Sequence, residues 1–284
     1  LHHINLTIYE GEKVLIVGPS VSGKSTLSHC INGLAPFYYD GEITGSLKIN
    51  GKETKDMSIF ELSNIVGTVL QEPYSHLIGL TVAEDIAFKL ENDCVPKLEM
   101  ESKVRKVSKL VDMERYLEDE PHHLSGGQKQ RVTLAGVMVG DVDFLLFDEP
   151  LASLDPATGK SAIELIDQIQ KETKKTILII EHRLEDVLHC DVDRVIVMDK
   201  GEIIADTTID EIIRKDILRK VGIREPLYLT ALRYADCEIN DTLKLKNIET
   251  LELGEYKEKL KDWYENIEVY ESDENQNPIL ELDN

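Results

Sequence analysis

The sequence predicts an α/β fold organised around a parallel sheet, and three observations carry that prediction. Short apolar runs rich in β-branched residues recur at 13–17, 65–70, 143–147 and 176–180, the length and composition of buried parallel strands. Helical periodicity fills the intervals between them, with Val82, Ile86 and Leu90 on one face, Val104, Val107 and Leu110 on another, and Ala162, Ile163, Ile166 and Ile169 on a third. Each apolar run also ends on glycine or on polar chemistry: Gly18, Gln71-Glu72, Asp148-Glu149 and Glu181-His182. The carboxyl ends of such strands border the ligand crevice of an open α/β sheet.

The first strand leads into Gly18-Pro-Ser-Val-Ser-Gly-Lys-Ser-Thr26, and a helix opens at Leu27. Strand, glycine-bounded loop, Gly23-Lys24-Ser25 and helix together make a phosphate-binding loop. Glycine lets backbone N–H groups approach a phosphate, and the helix N-terminus adds unpaired donors and a positive dipole end. Gly18, Ser20, Ser22, Gly23, Lys24, Ser25 and Thr26 are therefore the candidate nucleotide-binding residues. Lys24 is placed to bridge the β- and γ-phosphates and Ser25 to ligate Mg²⁺. Val21 stands out, because a β-branched residue is strained if the loop requires positive φ there.

Upstream, residues 1–8 alternate apolar and polar side chains and read as a half-buried antiparallel strand. With a second β signal at 45–51 they predict a small antiparallel subdomain around the phosphate-loop strand. Gln71 follows its strand, where its amide can serve Mg²⁺ and an attacking water. Residues 81 to about 116 read as a helical subdomain ending in Leu124-Ser-Gly-Gly-Gln128. Ser125 is a good N-cap for a helix over 128–135, and Ser125, Gly126 and Gly127 form a second set of anion donors. Asp148 and Glu149 close an apolar strand, where paired carboxylates are costly without a task. Asp148 suits a Mg²⁺-side role, and Glu149 suits the orientation and deprotonation of a water attacking the γ-phosphate. A turn at 151–155 precedes a helix opening on Asp155-Pro156. His182 ends the next strand, and a hairpin follows at 194–205 around Asp199-Lys-Gly201.

Composition bounds the rest. The chain has 284 residues, long enough for about two domains, and 54 acidic against 32 basic residues give a net charge of −22. That balance disfavours nucleic acid as the main partner. Four scattered cysteines without a C-x-x-C pair suit a reducing compartment. No apolar run approaches the roughly 20 residues that cross a bilayer.

In this order, the motifs resemble an ABC-type ATPase subunit from residue 1 to about 210. Glu181-His-Arg-Leu-Glu185, with Gln71-Glu-Pro and the segment 79–88, is similar to the ATPase components of energy-coupling-factor importers of vitamins and transition-metal ions. The resemblance implies an ABC-type phosphate-loop NTPase with a RecA-like core, an antiparallel β subdomain and a helical subdomain at about 81–135. It implies ATP and Mg²⁺ as cofactors, Glu149, His182 and Gln71 as catalytic residues, and Ser25, Gln71 and Asp148 on the metal. It also implies that Ser125, Gly126, Gly127 and Gln128 contact a nucleotide held by a second ATPase domain, and that Asp155 communicates across that dimer. The aromatic residue that stacks on adenine in this family falls ahead of Leu1.

The partners implied are a transmembrane coupling subunit and a substrate-binding membrane subunit, with the chain peripheral on the cytoplasmic face of the cell membrane. Residues 211–278 depart from the family pattern and read as a small α+β accessory region, with helices at 227–235 (Leu227, Ala231 and Tyr234 spaced along it) and 260–264, and a strand at 267–270. Residues 279–284 resemble the opening strand of another ATPase domain, so the expectation is the first half of a tandem protein. Two other readings compete: a non-transport ABC ATPase, and a nucleotide-binding regulatory half that does not hydrolyse.

Overall fold

A computed structural model describes residues 1–70, 77–152, 154–239, 251–254 and 256–267. Its centre is a six-stranded sheet in the order β4-β5-β6-β1-β7-β8. The strands are β1 (Lys13–Val17), β4 (Val66–Val69), β5 (Phe144–Asp148), β6 (Thr176–Ile180), β7 (Arg194–Asp199) and β8 (Glu202–Thr207). Between β1 and β4, among short helices, the chain makes a two-stranded antiparallel ribbon, β2 (Lys48–Ile49) with β3 (Lys52–Glu53). Pairing is parallel from β4 through β7, and β8 returns antiparallel with a register shift between Val197 and Met198.

The pleat divides each strand between two cores. On β1, Leu15 and Val17 face one cluster while Val14 and Ile16 face the other. Ile177 and Ile179 of β6 join the first, Leu178 and Ile180 the second. Burial on both faces is why these runs carry no polar alternation. The second face is covered by Leu27 and Ile31 of the helix Lys24–Ile31, and by Ile4, Leu6 and Ile8.

That placement corrects the reading of residues 1–8. They keep the alternation of a half-buried strand but form no strand. Their apolar side chains lie on the sheet face instead, and periodicity reports burial of an extended segment rather than ladder pairing.

The first face packs against the helices Val82–Asn92, Lys97–Leu110, Gly126–Met138 and Pro156–Thr173. Capping boxes open two of them, Thr81 with Glu84 and Ser125 with Gln128. Beyond β8 come the helices Ile209–Arg214, Ile217–Lys220, Leu227–Tyr234 and Tyr256–Glu265. Ile212, Ile213, Leu218, Leu229 and Leu232 belong to the same cluster as the sheet's first face. In Leu227–Tyr234 the buried residues are Tyr228, Leu229 and Leu232, not the expected Leu227, Ala231 and Tyr234. Leu227 and Tyr234 are exposed. The helix is turned so that the i, i+1, i+4 face meets the core, a phase that a short apolar segment leaves open. The strand expected at 267–270 and the segment 279–284 fall, from residue 268 on, outside the described residues.

Candidate nucleotide site

The loop after β1 is held by its own backbone and by the β7–β8 turn. Ser22 N–H donates to Pro19 O at 3.2 Å, and Gly201 N–H donates to Ser22 O at 2.9 Å. A Cβ at Gly18 would stand 2.4 Å from Met198 O and 2.5 Å from Ser22 Oγ, so only glycine fits. Gly23 caps the following helix at φ +101°. Val21 does adopt the left-handed region, at φ +65°, with its side chain 99% exposed.

Lys24 is buried, and its ammonium donates to Gly18 O at 2.8 Å and Pro19 O at 3.0 Å. Burial lowers its pKa against the opposing charges of Glu149, Asp148 and Glu181. Asp148 is buried at the end of β5, and desolvation pushes its carboxyl up. Glu149 sits at φ +50°, its N–H bonded to Ile180 O at 2.9 Å. Its Oε1 lies 2.5 Å from His182 Nε2. Lys24, Asp148, Glu149 and His182 thus gather at the carboxyl ends of β1, β5 and β6. Ser20, Ser25 and Thr26 are exposed and Ser22 is buried.

The cradle at Gly18, the helix N-terminus and the buried cation suit a polyphosphate. Ser25 and Asp148 offer the hard oxygen donors that suit Mg²⁺. Gln71, expected at the same ion and water, lies outside the described residues, as does Ser153 in the turn before Asp155.

Ser125–Gln128 stand in a different neighbourhood. Ser125 Oγ accepts from Gln128 N–H at 3.4 Å while Gln128 Oε1 accepts from Ser125 N–H at 2.8 Å, so the helix starts at Gly126, two residues earlier than expected. Ser125 is exposed and both glycines are half-buried. A Cβ on Gly127 would meet Thr158 Cγ2 at 2.7 Å, so this glycine lets the helix Pro156–Thr173 approach. Asp155 caps that helix, accepting from Ala157 N–H and Thr158 N–H, each at 3.1 Å. Its bonds from Thr158, side chain first, hold its carboxyl below the usual range.

Sequence reasoning passed over Glu181, Arg183 and Gln130. Glu181 is only 2% exposed, and burial raises its pKa. Gln130 Nε2 donates to Pro150 O at 2.7 Å. Glu181, like Asp148 and Glu149, is a carboxylate that ends an apolar strand, a signal present in the sequence.

Fold and site together define a phosphate-loop nucleotide-binding protein. The chain belongs to the ABC transporter ATPase family: a family model described as ABC transporter matches residues 1–152, and one described as ATP-binding cassette cobalt transporter matches 215–284. Among similar proteins, an ABC transporter ATP-binding protein of Clostridium perfringens is 64% identical over the whole chain, and one of Photobacterium profundum is 54% identical. The chain spans 50% of the length of each of these relatives. Among solved structures, cbiO1 of Clostridium perfringens, described as part of the ABC transporter complex cbiONQ, superposes with a TM-score of 0.69 at 33% identity, covering 81% of this chain and 90% of that one. The ATP-binding cassette MJ0796, a dimer bound to ADP and Pi, gives 0.61 at 30% identity, covering 72% and 89%.

Proposed function

We propose that this chain is the ATP-hydrolysing half of a protein with two ATPase domains, which powers uptake of a vitamin or transition-metal ion through a membrane transporter. The observation that carries the reading is the Glu149–His182 contact at 2.5 Å, beside Lys24 and Asp148. A carboxylate within reach of an imidazole at the open end of a phosphate site is equipped to orient and deprotonate water. Glu149 takes that role, and His182 holds the carboxylate and contacts the γ-phosphate. Lys24, with the N–H groups of residues 20–26, binds and neutralises the phosphates. Ser25, Asp148 and Gln71 hold Mg²⁺, which neutralises charge on the phosphate oxygens when bound.

Ser125, Gly126, Gly127 and Gln128 serve the nucleotide of a second ATPase domain, with Asp155 at the contact between the two. The dimeric neighbour structure and the doubled length of the relatives support that pairing. The remaining partners are a transmembrane coupling subunit and a substrate-binding membrane subunit, the chain lying peripherally on the cytoplasmic face. No helix among the described residues is long and apolar enough to cross a membrane. The family description naming cobalt supports the micronutrient class.

Glu149→Gln tests the reading. ATP binding is retained while turnover falls about 10²- to 10⁴-fold, the range for loss of a general base. Turnover within twofold of wild type removes Glu149 from its role. Co-purification of the full-length protein with a membrane subunit, and stimulation of its turnover by that subunit, checks the coupling.

A further inference from the structure

We infer that Glu181 and Arg183 are positioning residues that clamp both backbone polar groups of Leu151, and so fix the turn after Glu149 against the His182 segment. The inference rests on the hydrolytic reading above and adds two residues to it.

The geometry is reciprocal. Glu181 Oε1 accepts from Leu151 N–H at 2.8 Å, while Oε2 accepts from His182 N–H at 3.0 Å and Arg183 N–H at 3.4 Å. The Arg183 guanidinium donates to Leu151 O and faces the Asp186 carboxylate at 3.2 Å. Glu181 is itself anchored to the central strand, its N–H donating to Ile16 O at 3.1 Å. One residue earlier in the turn, Gln130 holds Pro150 O. Two consecutive residues of the turn are therefore gripped by side chains from the helix Gly126–Met138 and from the end of β6. The Leu151 side chain is fully buried beneath them.

A buried carboxylate costs several kcal/mol unless its oxygens are satisfied. A neutral side chain could close the end of β6 without that cost. The carboxylate instead bridges two loops, using both oxygens to join Leu151 to His182. Glu149 lies two residues before the clamp, and Asp155 lies four residues after it. A shift of the turn therefore moves the carboxylate away from His182 Nε2 and re-aims the Asp155 cap together. Displacements of about 1 Å at a reacting group cost on the order of 10²-fold in rate.

The test uses the full-length protein carrying Glu181→Ala, Glu181→Gln, Arg183→Met or Arg183→Lys, with two readouts. The first is kcat and KM for ATP; the second is amide hydrogen exchange of residues 149–155 against the rest of the chain. Glu181→Ala lowers kcat by about ten- to a hundredfold with KM within about twofold, and speeds exchange in 149–155 alone by at least about tenfold. Glu181→Gln keeps one carbonyl acceptor and falls between, and Arg183→Lys recovers part of what Arg183→Met loses. Unchanged exchange in 149–155 overturns the inference. So does a rise in exchange throughout the molecule, or a parallel loss of kcat and affinity, either of which marks a general structural role. If the wild type turns over no ATP, the hydrolytic reading fails by itself, and exchange at 149–155 still decides whether the clamp exists.

Discussion

At the scale of single residues, two strained positions flank the nucleotide crevice. Val21 and Glu149 both hold positive φ, which costs an L-residue about 1–2 kcal/mol and a β-branched one more. The Val21 side chain is exposed and contributes no packing against that cost. Val21→Gly therefore stabilises the protein by about 0.5–1 kcal/mol after the added chain entropy of glycine, seen as a raised denaturant midpoint with unchanged slope. A lowered midpoint would show that the loop gains something from valine that its backbone does not reveal. Glu149 is different, because its strain aims a carboxylate at His182. Val21 was legible as an anomaly from its side chain alone. The conformation of Glu149 was not, since nothing in Asp-Glu-Pro specifies a left-handed backbone.

At the scale of elements, the apolar runs and their terminal polar residues located β1, β4, β5 and β6, because burial on both faces leaves an unbroken hydrophobic signature. The phase of short helices was less legible, as Leu227–Tyr234 shows. Charged anchors between elements were not legible at all. Lys13 lies on β1 at 3% exposure and pairs with Asp167 on the helix Pro156–Thr173. Burial pushes the Asp167 carboxyl up, but hydrogen bonds and charge from Lys13 and Lys171 together hold it below the ordinary value.

A depressed carboxylate stabilises the fold above its unfolded pKa, about 3.9, and the stabilisation is lost as pH falls through the lower folded value. Asp167→Asn leaves Lys13 buried without its carboxylate and destabilises by about 3–5 kcal/mol at neutral pH. Chemical denaturation checks this, and the variant loses less stability than wild type on acidification below pH 4.

At the scale of the whole molecule, the segment after β8 is tied into the ATPase core. Leu229 is fully buried in the cluster that holds Leu15 and Phe147. Leu227 N–H donates to Glu185 at 3.2 Å, three residues from His182. Leu229→Ala destabilises by about 2–5 kcal/mol. It lowers a single unfolding transition, because one core spans both regions. A second transition that moves alone would mark residues 211–239 as an independent unit. The sharing of one core by these regions was not visible in the sequence. Burial partners are set by where a helix lands, and composition does not encode that.

Under the proposed function the chain carries half of two nucleotide sites: a phosphate loop for its own ATP, and Ser125–Gln128 for the nucleotide of another domain. The most direct measurement is ATP affinity and turnover of Ser125→Arg beside Lys24→Ala in the full-length protein whose second ATPase domain has been silenced at its own phosphate-loop lysine. Lys24→Ala is expected to abolish the remaining nucleotide binding. Ser125→Arg should leave that affinity within about twofold if Ser125 serves the nucleotide of another domain, as proposed. Loss of this chain's own ATP binding in Ser125→Arg would place the phosphate loop and Ser125–Gln128 in one site and overturn that pairing.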